Sequence, residues 1–546
     1  MAPPSGTRPP PSPHVAALRT LVASLRTNKR AWLALLAAAL AVLAVTQRDA
    51  PPACQPNTQL RRAAGGRDEA KWGDGVEGEF PPLQELRDRD RLWPPDLDKP
   101  LCTPKIYVYD LPPSLRLPES TVSQCRWSAY NSELLLHDLL VKPPAASPVP
   151  ADHPHHTLFT SNPDEADFFF VPLFPACNLF NCWVRAGWTK TERCNVDEGY
   201  TQPVMQHIRE AHPHWNASGG ADHLLTHPMD YVDGYYTTES RAAMNASTYL
   251  VTVGDLRPAP YGKYFRAWRD LVIPSSTHLL NSYFLNPMDY LDEHGRPLET
   301  PRGNAHPKRR GEAAPSHAEI FVPSPPAPLS LLDRLGELFY LLRHGSAALS
   351  ERDTLAIFRG GVGEPTDGES YSLGIRSLFF PSSGDPSLPP FSSTPRAGFS
   401  SLPDFDIAPA SEPDDYARRL ARSKFGLAPP GYTLDTTRLY EYLAFGVVPV
   451  FIGTGPRAGQ VLPFETDIDW ASFSLFIPRE RAHETPRILR AVGEEEYERL
   501  RRNVWEVGRK VVLEGREGNV WKLLARQLCR MKRLGGLSPG EEIANN

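Results

Sequence analysis

What this sequence has little of narrows it first. Across 546 residues there is no long block of basic side chains, and the formal net charge is −5. Proteins that grip nucleic acid through its phosphates cluster Lys and Arg on one surface, so this balance argues against such a partner. No apolar run exceeds the fifteen residues of Ala31–Val45, shorter than the roughly 17–25 residues that typically span a bilayer. No internal repeat is visible, which leaves solenoids and propellers aside. Cysteine is sparse, at seven residues. Proline is the opposite, with 58 residues gathered in the tail, the stem and two internal stretches.

What is present fits a globular protein, with 41% apolar and 23% charged residues and a length that holds two core-bearing domains plus tails. Residues 1–30 carry Arg8, Arg19, Arg26, Lys29 and Arg30 and no acidic side chain ahead of the apolar run. Gln47-Arg48-Asp49 is a poor cleavage site, so a type II signal anchor over 31–47 is expected, its basic flank cytosolic and its short span suited to the thinner early secretory membranes. A secreted protein with a cleaved signal is the alternative. Residues 48–100 read as a stem. Six cysteines lie beyond it, consistent with disulfides in an oxidising lumen, and Cys177 and Cys182 are read as a local pair. Asn216 and Asn245 open N-glycosylation sequons.

Alternating short strands and helices imply α/β architecture with doubly wound sheets. Lys105–Tyr109, Thr157–Thr160, Asp167–Leu173, His223–Thr226, Tyr249–Val253 and Leu271–Ile273 are predicted strands of an N-terminal domain over 101–345, with a flexible insertion at 291–328. Leu329–Arg343 is a predicted helix leading to a C-terminal domain over 346–540, with a second insertion at 381–403. Leu500–Val511 and Asn519–Leu534 are predicted helices able to pack back across both domains.

The most informative stretch is Arg422–Gly455, RSKFGLAPPGYTLDTTRLYEYLAFGVVPVFIGTG. It reads as a strand over Lys424–Ala428, a loop broken by Pro429-Pro430-Gly431, a helix capped by Asp435 or Thr436, and a second strand over Val447–Ile452. Helical spacing places Arg438 and Glu441 together near the start of a helix that leaves the carboxyl end of a strand. Open α/β sheets bind phosphorylated ligands there. A plain surface ion pair is the other account of the two residues.

This stretch resembles the donor motif of the exostosin-like glycosyltransferases (glycosyltransferase family 47). Lys105–Pro112, Asn162–Phe174, Tyr371–Arg376 and Leu462–Phe473 support the resemblance, which covers about 100 to 530. It implies GT-B architecture, two Rossmann-like domains facing across a cleft. The C-terminal domain would hold a nucleotide-sugar, expected to be a UDP-sugar, and the N-terminal one a glycan or glycoprotein acceptor, with inversion at the anomeric carbon. Arg438, Arg359 and Arg376 are the candidate diphosphate ligands, Glu441 the ribose ligand, Gly431 the point of close backbone approach and Tyr432 the stacking partner for the base. The chain departs from the family pattern at Gly426, where Cys is common, and at Pro430, where Arg is frequent. A catalytically silent subunit or glycan-binding partner of another transferase is therefore the alternative.

For the acceptor's proton, Asp222, His227 and Asp230 are the candidate bases, in a cluster ending a predicted strand at the cleft. His223 and His227 lack a third ligand for zinc, and His153, His155 and His156 read as loop residues. The D-x-D pairs at 88/90, 96/98, 404/406 and 467/469 do not follow an apolar strand in a suitable domain, so no essential metal or cofactor is expected. Complexes with other glycosyltransferases remain open.

Overall fold

The computed structural model describes most of residues 101–299 and 351–533. Residues 1–100, 300–350 and 534–546 lie outside the description, as do shorter stretches, chiefly 143–152, 187–193, 229–234, 258–264, 281–284, 364–367, 388–393, 410–412 and 514–518. The expected tail, anchor, stem, the helix Leu329–Arg343 and the candidate base Asp230 all fall there. Among the described residues no helix is long and apolar enough to cross a membrane.

The first half holds seven short strands: β1 (Ile106–Val108), β2 (Phe159–Thr160), β3 (Phe168–Phe170), β4 (His223–His227), β5 (Thr248–Val251), β6 (Gly254–Asp255) and β7 (Leu271–Val272). Six of them pair in the order β2-β1-β3-β4-β5-β7, every described pairing parallel. Side-chain alternation divides β3 between two cores. Phe168 and Phe170 join Ile106, Leu224 and Leu250 on one face, and Phe169 joins Leu225 and Tyr249 on the other. Helices α1 (Glu119–Cys125), α2 (Ser132–Val141), α3 (Pro175–Arg185), α4 (Gln202–Ala211) and α5 (Thr238–Met244) belong to this half.

The second sheet comprises β8 (Thr354–Arg359), β9 (Phe405–Ala408), β10 (Ser423–Ala428), β11 (Val448–Ile452) and, past the short β12 (Gln460–Val461), β13 (Leu475–Ile477). It too is parallel, in the order β13-β11-β10-β8-β9. With it go α6 (Pro413–Ala421), α7 (Arg438–Ala444), α8 (Glu494–Glu506) and α9 (Asn519–Arg533). In both sheets the strand that comes first in sequence lies between the second and the third. Chain order therefore reverses between β1 and β3, and again between β8 and β10. Crevices for ligands open at the carboxyl ends of strands beside such a reversal.

Several ties join the halves. β6 and β12 form an antiparallel ribbon, Gly254 opposite Val461. A Cβ on Gly254 would meet Val272 and Val461 at 2.7 Å, so only glycine lets the two backbones approach. Along α9, Trp521 Nε1 donates to Leu136 O at 3.1 Å, and Cys529 is disulfide-bonded to Cys102. The expected packing of the last helix across both halves is thus observed.

Cys177 and Cys182 do not pair with each other. Cys177 is bonded to Cys125 and Cys182 to Cys194. Both residues lie in α3, five positions apart, which turns their Cβ atoms about 140° away from one another around the axis. Asp435 does not cap α7 either. The helix starts at Arg438 after Thr437, and Asp435 instead accepts from Ser275 of the other half and from Tyr440 Oη.

Arg352 is a buried cation. Its guanidinium donates to the carbonyls of Ser423, Phe445, Gly295 and Leu420 at 2.7, 2.8, 2.9 and 3.3 Å. It knots the segment leaving the first half to β10 and the end of α7. Arg352→Leu strands these acceptors without donors and should lower the unfolding free energy by about 3 kcal/mol, read as a shifted urea midpoint.

Candidate active site

The second sheet's reversal places two loop starts side by side, Arg359-Gly360-Gly361 after β8 and Pro429-Pro430-Gly431 after β10. Two guanidiniums converge there. Arg438, the first residue of α7, lies with its Cζ 5.2 Å from the centre of the Phe358 ring. Arg376 approaches the same ring at 5.3 Å and Tyr371 at 5.0 Å. Arg438 Nε donates to the carbonyl of Arg359. Arg376 donates to Tyr371 Oη at 2.6 Å and to Gly361 O at 3.4 Å, while its buried Nε has no hydrogen-bond partner. Neither makes an ion pair among the described residues. Burial, and then the positive charge of Arg438, lower the Arg376 pKa from its ordinary value.

The backbone makes room for these cations. A Cβ on Gly360 would lie 2.6 Å from Arg438 Nη2. Ser372, Leu373 and Gly374 take left-handed φ values of 55°, 53° and 75°, which curls the chain so that Tyr371 and Arg376 meet. Gly431 sits beside Arg376, a Cβ there being 3.5 Å from Nη2. Tyr432 is 63% exposed and packs edge-on against Tyr371 at 4.8 Å.

The other donor-side candidates fall differently. Arg359 is buried, and its guanidinium pairs with Asp406 of β9 at 2.8 Å and with main-chain carbonyls. What it offers the crevice is its carbonyl, not its charge. Glu441 is buried and accepts from Leu279 N at 3.3 Å and from Tyr416 Oη at 3.1 Å. It therefore joins the first half to α6, and a ribose would have to use its remaining lone pairs.

Of the proposed bases, Asp222 precedes β4 and so lies at the amino end of the strands, opposite the crevice. It is not at the cleft, because all neighbours of β4 run parallel. There it accepts from Ser218 Oγ at 2.5 Å and His223 Nδ1 at 2.7 Å. Burial pushes its carboxyl up, but these two hydrogen bonds outweigh it and hold the pKa below the usual range. His227 closes β4 at the crevice end, yet its ring is wholly enclosed against Tyr249 and hydrogen-bonded to Tyr236 Oη at 3.0 Å, with Nδ1 unpartnered. Burial, aided by Arg266, takes its pKa down to about 3. Asn216 and Asn245 are both exposed.

One feature escaped sequence reasoning. Glu133 is fully buried and accepts the N–H groups of Cys177 at 2.7 Å and Ala176 at 3.3 Å, capping α3 from α2. Burial raises its pKa well above the carboxylate range. The described D-x-D residues have structural partners: Asp404 with Arg490, Asp406 with Arg359 and Arg419, Asp467 with Arg526 and Arg530, and Asp469 with the N–H of Ala471.

Gly426 has a local reason to be glycine. A Cβ on it would fall 2.4 Å from the Tyr442 ring, whose Oη donates to Leu427 O at 3.0 Å. Gly426→Cys should therefore cost about 2 kcal/mol of stability by overpacking, and Tyr442→Ala in the same chain should relieve the clash, as a double-mutant cycle in urea would show. The enclosed His227 predicts an acid limb. Folded, it stays neutral to about pH 3, whereas unfolded it takes a proton near pH ~6.5. Its contribution is thus flat above that value and costs about 2 kcal/mol at pH ~5. Urea midpoints at the two pH values should differ less in His227→Gln.

A family model described as the exostosin GT47 domain matches residues 102–328 and 340–492. "Probable glucuronosyltransferase GUT1" of Oryza sativa subsp. japonica is 25% identical over 463 residues, 82% of this chain and 87% of its own. "Probable beta-1,4-xylosyltransferase IRX10" of Arabidopsis thaliana is 24% identical over 400 residues, 73% and 74% of the two chains. Among solved structures, Anabaena HepE in complex with UDP and glucose aligns with 79% of this chain and all of its own at 10% identity, with a TM-score of 0.30, too low to support any inference. The extent of the family match, and relatives that bear transferase names over most of their length, lead to one conclusion: the chain belongs to the exostosin GT47 family of glycosyltransferases.

Proposed function

We propose that the chain is a GT-B-type transferase that moves a sugar from a UDP-linked donor to a glycan or glycoprotein acceptor. One observation carries this. Two guanidiniums without an ion pair, one of them 4% exposed with an orphaned Nε, meet at the strand-order reversal of the second sheet. Buried like charges side by side are costly until an anion arrives, and a diphosphate brings a matching charge.

In this mechanism Arg438 and Arg376, with the main-chain N–H of Gly361, stabilise the charge that develops on departing UDP, while the N–H of Gly360 stays bonded to Ala408 O at 3.1 Å. Glu441 receives a ribose hydroxyl and exposed Tyr432 covers the uracil. The acceptor hydroxyl attacks the anomeric carbon from the face opposite the leaving diphosphate, inverting it, and a base on the first half takes its proton. Asp230, three residues beyond the carboxyl end of β4, is the base to test first. No metal is required in this scheme, because the guanidiniums supply the positive charge. The names of the relatives make xylose and glucuronic acid the first donor sugars to try. We further propose a Golgi, single-pass type II placement anchored through 31–47, with residues 101–540 lumenal.

Titration calorimetry with UDP tests the donor site. Arg438→Ala and Arg376→Ala should each weaken UDP at least tenfold, about 1.4 kcal/mol. Glu441→Ala should weaken it less, and chelator should leave it unchanged. Wild-type UDP affinity in both arginine variants would refute the site. UDP binding without UDP release on any glycan acceptor would favour the silent-subunit alternative that the buried Pro430 raises.

A further inference from the structure

A second cavity lies at the opposite end of the first sheet. It encloses about 220 Å³ among Asp167, Ser218, Asp222, Trp268, Arg269 and Lys532, beside the amino ends of β3 and β4. From there to the carboxyl end of β4 is five residue steps, about 17 Å along the strand. The cavity is therefore separate from the proposed transfer crevice.

Its lining restricts what can enter. Trp268 is 50% exposed, one of the few large aromatic side chains left open among the described residues. The Arg266 guanidinium lies 5.9 Å from the centre of its ring, and the exposed part of the indole presents a flat apolar surface with one polar edge. Around it stand two carboxylates and two cations, so the lining is close to neutral overall. Lys532 is ion-paired with Asp167, and buried Arg269 donates to Ala221 O at 2.7 Å. Asp222 uses Oδ1 for both Ser218 and His223, and no other described residue donates to its Oδ2. Its side chain as a whole is 34% exposed, so the carboxylate is accessible to a ligand hydroxyl.

Each rival class meets an obstacle here. An anionic polymer faces Asp167 and Asp222, a cation faces Arg269 and Lys532, and an apolar segment would strand all four charges. A nucleotide-sugar is too large, since pockets for drug-sized ligands run to roughly 300–1,000 Å³. A neutral sugar ring meets none of these obstacles. Its C–H face stacks on an indole, and its hydroxyls both donate to carboxylates and accept from cations.

We propose that this cavity is a binding subsite for one ring of an uncharged oligosaccharide, held at the end of the first half away from the transfer crevice. The proposal stands apart from the donor site, because each has its own probe. The test uses the full-length chain in detergent, with saturating UDP. Xylohexaose, cellohexaose and galactohexaose are titrated by saturation-transfer NMR and calorimetry, with hexagalacturonate as the charged control. At least one neutral hexamer should bind, and Trp268→Ala should weaken it tenfold or more while UDP affinity stays constant. Should Trp268→Ala also weaken UDP, Lys532→Gln decides, and it must weaken the hexamer alone. No binding by any neutral hexamer, tighter binding of hexagalacturonate, or wild-type affinity in Trp268→Ala overturns the proposal.

Discussion

Two positive charges share one aromatic ring, and much of the second sheet's upper edge is arranged around that fact. Arg376 and Arg438 both lie within about 5 Å of Phe358. Neither has a carboxylate in contact among the described residues, so the ring, the carbonyls of Arg359 and Gly361 and the Tyr371 hydroxyl do the holding. The missing Cβ of Gly360 and the left-handed run at Ser372–Gly374 are backbone concessions to the same pair. By contrast Arg359, one residue past Phe358, is neutralised by Asp406 and serves the sheet. Three arginines that look alike in sequence thus divide by partner: one pairs with a carboxylate, and two have none among the described residues.

Much of this framework was legible beforehand. The strands of the first sheet, β8, β10 and β11 fall within a few residues of their expected places, because short apolar runs bounded by Pro and Gly have few other conformations. The sequence also pointed to the loop at Gly431 and the start of α7. It did not show β9, since FDIA follows a Pro/Ser-rich stretch and its pairing with β8 is made across 49 positions. Nor did it separate Asp222 from His227. They are five residues apart, yet a strand sends them to opposite ends of the sheet. Long-range partners were the least visible: Glu133 on α3, Asp435 on Ser275 and each of the three disulfides depend on packing that no local pattern encodes.

The departures from the family pattern acquire local causes. Gly426 is the counterpart of a large Tyr442, an exchange of volume across a strand and its following helix. Pro430 is buried, so an arginine at that position would begin from an enclosed Cα. Of this loop, Gly431 is the residue placed beside Arg376, a Cβ there being 3.5 Å from Nη2.

The bond between Cys102 and Cys529 joins residues 427 positions apart, one just ahead of the first strand and the other in the last described helix. During synthesis the opening segment of the chain therefore emerges long before its covalent partner exists. Its thiol must wait, free or borrowed by a neighbour, until translation is nearly finished. A chain cut short before residue 529 would keep every strand of both sheets and still lack the clasp that closes the polypeptide into a ring. Quality control in an oxidising compartment could read that unpaired thiol as the mark of an unfinished molecule.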